Sequence, residues 1–261
     1  MTPRAVYTFV GYYFTLVLFG VGGLLLSLAA LVAEFVPATA RTERFFQRLI
    51  HLNCAAFVWW TAFARLFQVR YHGLDRLPRA PRGLVIVANH PGLTDITSLL
   101  ARVPETLCIF KPAIRRNPVL GAAARRAGYL ANDGGHEVIR QAAEKIAAGR
   151  VVIVFPEGTR TPPSTPLLPF KAGFVLMARR ADAPIQLVRL ACSRPVLGKG
   201  RAWWKFPPLP AHADVSIGPR LRVDPAADTA AVAREIEGWF RAATEVTAPW
   251  PWSSALQVVA P

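Results

Sequence analysis

The chain has 261 residues, 52% of them hydrophobic, which is enough to bury one sizeable core. Lysine and arginine number 31 against 16 acidic residues, and the formal net charge of +15 suits nucleic acid or an anionic membrane surface. The three cysteines, Cys54, Cys108 and Cys192, are widely spaced in apolar surroundings, which argues against a disulfide framework and against a cysteine metal site.

The N-terminal segment decides in favour of the membrane. Residues 5–33 contain no charged residue, and as a helix they would reach roughly 43 Å, more than the hydrocarbon core of about 30 Å. A cleaved signal peptide is the alternative, because ATA at residues 38–40 resembles a cleavage site, but its apolar region normally has about 7–15 residues. Three glycines between residues 20 and 23 would also allow a re-entrant helical hairpin.

Positive charge follows this segment, where five arginines occur before residue 71, against Arg4 alone before the segment. If the segment spans once, this asymmetry places the globular part on the cytoplasmic side, at the inner (plasma) membrane of a bacterial-type cell. Residues 45–67 mix apolar residues with arginines and predict an interfacial helix. Its Trp59 and Trp60 would lie either at headgroup depth or in the core.

The rest of the chain alternates between strand-like and helix-like segments. Apolar, β-branched runs predict buried strands at residues 84–88, 107–110, 151–154 and 184–191. Periodicity and end signals predict helices at residues 94–101, 118–127, 136–148 and 228–247. This alternation predicts an α/β fold whose mostly parallel or mixed sheet is flanked by helices. The predicted regions are a membrane-associating helical segment (1–70), an α/β domain (71–247) and a loose C-terminal tail (248–261).

Two loops at the ends of predicted strands carry unusual polar residues. NHPGLTD, residues 89–95, follows one apolar run, and PEGTR, residues 156–160, follows another. Either loop alone would be explained as an ordinary solvated strand end. Because ligands gather beyond the carboxyl ends of strands in such sheets, two loops of this kind predict a site between them.

His90 and Asp95 in the first loop are candidate catalytic residues. Pro91 and Gly92 turn the chain between them, which would bring the carboxylate back onto the imidazole, fix its tautomer and stabilise the imidazolium. His90 could then activate a hydroxyl for attack on a carbonyl; the alternative is a structural histidine held by a helix-capping Asp95. The sequence has no serine elbow, P-loop, dinucleotide motif or metal-ligand spacing, which favours direct transfer to a hydroxyl over a covalent intermediate.

The two motifs resemble those of a known family. NHPGLTD, with His, four residues and Asp, and FPEGTR about sixty positions later resemble the glycerolipid acyltransferases of the lysophospholipid and 1-acylglycerol-3-phosphate O-acyltransferase type. PIQLV, after residue 183, looks like a later family motif, so the resemblance covers about residues 80–200. It implies a membrane-bound enzyme of phospholipid biosynthesis that transfers a fatty acyl group from acyl-ACP or acyl-CoA to a lysophospholipid-like hydroxyl, without other cofactor or metal.

The same resemblance assigns expected roles to individual residues. His90 would be the general base, Asp95 its orienter, and the second loop part of the acceptor site. There Arg160 would hold a phosphate or carboxylate, and Glu157 would bind acceptor hydroxyls or hold Arg160. Gly158 would let the backbone approach closely beside Thr159. Lys111 and Lys171 each follow a short apolar run and would add positive charge, unless they are plain surface lysines.

One stretch departs from the family pattern. The family's middle motif ends in an arginine that helps to hold the acceptor phosphate, whereas GYLANDGG, residues 128–135, has no arginine and carries Asp133. We therefore expect an acceptor with one negative charge to be preferred over 1-acylglycerol-3-phosphate. The alternatives are a polyene or amino-acid lipid acceptor, an inert lipid-binding module, and a nucleic-acid-binding protein. The apolar N-terminus and the absence of a nucleic-acid-reading motif argue against the last.

Overall fold

A computed structural model describes residues 2–77, 83–133, 135–194, 196–200, 202, 204–242 and 250–260. The helices are α1 (Pro3–Val32), α2 (Ala40–Phe63), α3 (Thr94–Leu100), α4 (Gly121–Arg126), α5 (His136–Ala147), α6 (Gly173–Arg180) and α7 (Thr229–Ala242). The strands are β1 (Phe67–His72), β2 (Leu84–Ala88), β3 (Thr106–Phe110), β4 (Leu130–Ala131), β5 (Val151–Val154), β6 (Ile185–Cys192), β7 (Ala211–Val223) and β8 (Leu256–Val259).

The strands of the described residues form one mixed sheet in the order β1-β7-β6-β2-β5-β3-β4, with β8 paired to β7. Strands β6, β2, β5, β3 and β4 are parallel, whereas β7 is antiparallel to β6 and to β8 and parallel to β1. The predicted α/β class and mixed sheet are confirmed. The carboxyl ends of the parallel strands therefore share one edge of the sheet, where the two polar loops begin.

The central strands are apolar on both sides because helices cover both faces of the sheet. In β2, Val85 and Val87 pack in a cluster with α5, α6 and α7, whereas Leu84, Ile86 and Ala88 pack on the opposite face with α2 and α3. The helix predicted as interfacial is thus also a structural part of the α/β core, and α2 is fixed relative to the sheet.

Helix α1 runs without a break through the three glycines, so α1 and α2 themselves form the hairpin. Its buried residues lie on one stripe and are mostly small or polar: Thr8, Tyr12, Thr15, Gly23, Ser27 and Ala30. Ser27 Oγ donates a hydrogen bond to the Val119 carbonyl oxygen at 2.8 Å. Among the described residues, α1 with the turn after it is the one helix long and apolar enough to cross a membrane, and most of its apolar surface is exposed.

Helix α2 differs from α1 in using a polar cluster to join the domain. Gln47 is buried; its Nε2 donates to the Ala127 carbonyl oxygen at 2.6 Å, and its Oε1 accepts from Arg150 at 2.6 Å. On the other side of the helix, Trp59 is 65% exposed, while Trp60 Nε1 donates to Thr15 of α1. The two tryptophans therefore take different environments, one facing outward and one between the helices.

The predicted loose tail is wrong for residues 256–259, which form β8 on the edge of β7. Trp250 and Trp252 pack against the core beside it. A four-residue strand has too little pattern of its own to be recognised, because the neighbouring strand supplies its hydrogen bonds. The boundary predicted at residue 70 falls inside β1, and the division into domains otherwise stays a prediction.

Two predicted helices have different ends in the structure. Helix α4 begins at Gly121 instead of 118, because Asn117 Oδ1 accepts the backbone N–H groups of Val119 and Leu120 in a turn. Helix α7 ends at Ala242, and residues 243–247 of its prediction lie outside the described residues. The helix predicted at residues 136–148 is confirmed as α5.

Candidate active site

Strands β2 and β5 are neighbours in the sheet, and they bring the two polar loops together. Their parallel register pairs Val87 with Val154, so both strands end at the same level. The loop after β2 and the loop after β5 therefore leave the sheet edge side by side. Thr161 donates its backbone N–H to the His90 carbonyl oxygen at 2.8 Å, which joins the loops directly.

The structure places the His90 and Asp95 side chains in contact, as the spacing predicts. His90 Nδ1 lies 2.9 Å from Asp95 Oδ2, and the same oxygen accepts the Gly92 backbone N–H at 2.6 Å. Asp95 is in the first turn of α3 and its side chain is 1% exposed, against 16% for His90. The Phe155 ring stacks on the imidazole with 4.1 Å between centroids. The imidazole is thus fixed on two sides, which leaves Nε2 as the atom that can take a proton.

Burial raises the pKa of the Asp95 carboxyl above its ordinary value of 3.8. Hydrogen bonds from His90 and Gly92 and the charge of His90 act in the opposite direction, and the nearby Glu157 carboxylate adds to the increase in pKa. An ionised Asp95 needs these donors, because a carboxylate is costly to bury without them. The Asp95 carboxylate therefore depends on His90 as much as His90 depends on it.

The hydrogen-bond partners of Glu157 differ from those that the sequence predicts. Its side chain is buried, and Oε1 accepts the His90 backbone N–H at 2.7 Å. Oε2 accepts the Thr161 hydroxyl at 2.5 Å and the Leu168 backbone N–H at 2.9 Å. The prediction that Glu157 holds Arg160 is therefore corrected, because the carboxylate instead holds the two loops together. Its expected contact with acceptor hydroxyls stays a prediction. Sequence reasoning missed Thr161, although it directly follows the motif.

The remaining residues of the second loop lie beside the two predicted lysines. Gly158 has a φ of +68°, a left-handed conformation that favours glycine, and Lys171 Nζ is 3.3 Å from where a Cβ would be. Lys111 Nζ donates to Thr159 Oγ1 at 3.2 Å. Both lysines are exposed. The structure thus brings two cations from separate elements to one loop, as the sequence suggested.

Arg160 is bonded to a third segment instead of to Glu157. Its Nη1 donates to the Leu197 carbonyl oxygen at 2.7 Å, in the connection between β6 and β7. A guanidinium has five N–H donors, so others remain to hold an anion. The stretch that departs from the family pattern follows β4, where Phe110 pairs with Ala131, so the exposed Asp133 lies near the end of β3.

No group of three or more His, Cys, Asp or Glu side chains that could hold a metal ion occurs within the described part of the chain. The three cysteines are free thiols; Cys54 and Cys108 are buried, and Cys192 is partly buried.

Residues 68–190 match the family model "Acyltransferase", a range that includes every candidate site residue. The chain carries an acyltransferase-family domain. The resemblance predicted from the two motifs is therefore confirmed.

The names of two curated proteins that resemble this chain describe lysolipid acyltransferases. The chain is 35% identical over 143 residues to the lyso-ornithine lipid O-acyltransferase of Pseudomonas aeruginosa, covering 52% of this chain and 53% of that protein. It is 33% identical over 108 residues to a 1-acyl-sn-glycerol-3-phosphate acyltransferase of Helicobacter pylori, covering 39% of this chain and 46% of that one. The chain thus spans about half the length of these relatives.

The fold also matches a solved structure. The crystal structure of the 1-acyl-sn-glycerophosphate (LPA) acyltransferase from Thermotoga maritima superposes with a TM-score of 0.70 at 24% sequence identity. The match covers 95% of this chain and 98% of the other. It extends beyond the acyltransferase domain to most of the chain, so the N-terminal hairpin belongs to the shared fold.

Proposed function

We propose that the protein is a membrane-bound O-acyltransferase, which moves a fatty acyl group from an acyl thioester to the hydroxyl of a lysolipid. The observation that carries this proposal is the His90–Asp95 pair, with 2.9 Å between Nδ1 and Oδ2, at the sheet edge where Arg160 and two lysines gather. The match of residues 68–190 to the acyltransferase family model supports the reaction class. The thioester is carried by acyl carrier protein or coenzyme A.

The proposed reaction is a direct transfer. His90 Nε2 takes the proton of the acceptor hydroxyl as its oxygen attacks the thioester carbonyl carbon, and Asp95 stabilises the imidazolium. The new ester C–O bond forms, the C–S bond breaks, and the thiolate leaves with the electron pair. The imidazolium then returns the proton to the thiolate. Glu157 acts as a positioning residue, because it fixes the His90 backbone from the neighbouring loop.

The acceptor headgroup is proposed to lie against Arg160, Lys111 and Lys171. These cations suit a phosphate or carboxylate, whereas Asp133 near the end of β3 would repel a dianion. We therefore propose an acceptor with one negative charge, such as a phosphodiester lysolipid or an amino-acid lysolipid. The similarity to a lyso-ornithine lipid O-acyltransferase supports the second of these.

A panel of acceptors tests this proposal, with purified full-length protein and one acyl donor. We expect turnover with a phosphodiester lysolipid or a lyso-ornithine lipid to exceed that with 1-acylglycerol-3-phosphate by roughly ten- to hundredfold. This is the ratio that the loss of one charge-assisted hydrogen bond would produce. If 1-acylglycerol-3-phosphate is the best acceptor, the inference from Asp133 fails. If no lysolipid is acylated, the proposed function fails as a whole.

The hairpin is proposed to attach the protein to the inner membrane from the cytoplasmic side. Both ends of α1 contact the rest of the protein: Tyr7 donates to the Ala64 carbonyl oxygen, and Arg126 donates to the Val36 carbonyl oxygen just after the helix. If α1 crossed the bilayer upright, one of these ends would draw charged parts of the domain into the hydrocarbon. We therefore propose that α1 lies along one leaflet with its exposed apolar face in the lipid.

A further inference from the structure

The catalytic chemistry gives no role to the connection between β6 and β7, whose sequence includes the run WWKF at residues 203–206. Residues 196–200, 202 and 204–210 of this connection are described. Its inner part is buried: Val196 and Leu197 pack with Tyr12 of α1 and with Ala211 of β7. The connection therefore lies between the membrane helix and the sheet edge that carries the site.

The inner part of this connection touches the proposed acceptor site. The Leu197 carbonyl oxygen accepts the hydrogen bond from Arg160 at 2.7 Å. Leu197 has a φ of +54°, a left-handed conformation that is uncommon for a residue other than glycine. Its burial beside Tyr12 holds the carbonyl in that direction. The orientation of the Arg160 guanidinium thus depends on how this connection sits on α1.

The outer part of the connection is exposed and carries an aromatic ring between two cations. Trp204 is 57% exposed, and Lys199 and Lys205 are exposed on either side of it in sequence. Tyr13 of α1 donates its hydroxyl to the Trp204 carbonyl oxygen at 2.7 Å, and the Phe206 ring packs 5.7 Å from that of Phe9.

The neighbouring surface of α1 is apolar. Its outward face exposes Phe9, Val10 and Phe14 by 43–58%. The hydrogen bond from Tyr13 to the Trp204 carbonyl oxygen holds the Trp204 backbone next to this helix. An exposed tryptophan whose backbone is bonded to an apolar helix, with exposed lysines on either side of it in sequence, fits the headgroup region of an anionic bilayer, where tryptophan is enriched and each lysine is attracted.

We propose that residues 196–200, 202 and 204–209 belong to a second membrane-docking element, with Trp204 at headgroup depth and Lys199 and Lys205 on anionic lipid headgroups. This inference rests on the proposed attachment of α1 to a lipid surface. The element holds Arg160 through the Leu197 carbonyl oxygen, so it sets the acceptor arginine at the depth where lysolipid headgroups lie. A soluble protein partner at the same surface is the competing occupant.

Depth measurements on full-length protein test the proposal. Trp204→Cys and Val258→Cys are made in a Cys192→Ala background, since Cys54 and Cys108 are buried, and each is labelled with an environment-sensitive fluorophore. Val258 is a matched control, because it is exposed to a similar extent, 55%, but lies on the edge strand β8. The vesicles contain phosphatidylglycerol and lipids that are spin-labelled near the headgroup.

We expect both proteins to float with the vesicles and the label at position 204, but not that at 258, to be quenched. Flotation with a label at 204 that stays as water-accessible as the one at 258 overturns the docking element and leaves the attachment of α1 standing. A soluble-protein partner predicts that same result. Failure of both proteins to float overturns the attachment itself, and the present inference with it.

A kinetic comparison separates docking from a merely structural role. Trp204→Ala should raise the KM for a vesicle-borne lysolipid roughly tenfold, with little change in kcat. A tenfold change corresponds to the free energy of removing part of an indole from lipid. The KM for a short-chain acceptor in solution should not change, Trp204→Phe should restore most of the loss, and Val258→Ala should have no effect. An equal rise in KM for both acceptors, or no rise for either, contradicts the proposal.

Discussion

Two carboxylates join distant parts of this chain, and the partners that bind them differ in charge. At the hairpin, Glu43 of α2 receives two cations: Lys145 Nζ at 2.9 Å and Arg150 Nη1 at 3.6 Å. At the candidate active site, Glu157 accepts hydrogen bonds from neutral donors, namely two backbone N–H groups and the Thr161 hydroxyl. The hairpin carboxylate thus faces cations, whereas the Glu157 carboxylate faces neutral donors.

The difference distinguishes a structural cluster from the cluster proposed to act in catalysis. Asp95 and Glu157 both lie against His90, one on its ring and one on its backbone N–H. In the proposed mechanism, both carboxylates favour the imidazolium that forms when His90 takes a proton, because negative charges held beside a forming cation stabilise it. A neutralised pair such as Glu43–Lys145 has no such effect at a distance, and it only fixes α2 to the domain.

The largest expected effect comes from removing the histidine. His90→Ala should lower kcat by about 10²–10⁴-fold, the usual contribution of a general base, while folding and vesicle flotation persist. The matched control is His72→Ala, because His72 makes the same 2.9 Å contact with Asp214 but its side chain is 56% exposed on the sheet. Steady-state kinetics on both variants test the role of His90 as general base. Near-normal turnover by His90→Ala would contradict the proposed mechanism.

The two carboxylates themselves can be compared by the same charge-removing change. In Glu157→Gln, an amide NH₂ replaces one carboxylate oxygen and faces the hydrogen-bond donors that this oxygen bound. We therefore expect the free energy of unfolding to fall by about 1–3 kcal/mol. It should also lower kcat about tenfold, which corresponds to roughly 1.4 kcal/mol of transition-state stabilisation. Glu43→Gln should destabilise without changing kcat by more than about twofold. Denaturant unfolding and kinetics measure both, and equal kcat values for the two variants would contradict the distinction.

The packing of the hairpin can be tested separately from its ion pairs. Gly23→Ala places a Cβ 2.7 Å from Val119 Cγ1, so overpacking should destabilise the protein by about 1–3 kcal/mol. Gly20→Ala meets nothing within 4 Å on the same helix and should be neutral or stabilising by up to about 1 kcal/mol. Thermal unfolding in detergent compares them. Equal stability of the two variants would show that the buried stripe of α1 does not hold the helix to the domain.

The smallest effect is the titration of Asp95. Because burial raises the pKa of this carboxyl above 3.8, its midpoint should lie at a higher pH than that of an ordinary aspartate. As the pH falls through this midpoint, Asp95 takes a proton and no longer stabilises the imidazolium of His90. Infrared difference spectra between the wild type and Asp95→Asn report the carboxylate directly. A carboxylate that stays ionised below pH 3.8 would show that the hydrogen bonds outweigh burial.

The sequence by itself determined the features that depend on neighbours along the chain. The run LVIVA predicts a buried strand from composition alone, and five positions with a turn suffice to bring His90 to Asp95. The uncharged length of α1 predicts a membrane-associating helix for the same reason. Each of these features belongs to one short segment, whose own chemistry limits what it can do.

Only the tertiary structure decided how the segments meet. The sequence showed Glu157 as a charged loop residue, but its oxygens bind partners up to 67 positions away, at His90. The connection of Arg160 to Leu197 and the place of β8 on the edge of β7 were equally hidden. Periodicity tells which face of an element is buried but not which element covers it, since that choice depends on the register of strands and the packing of helices from distant parts of the chain.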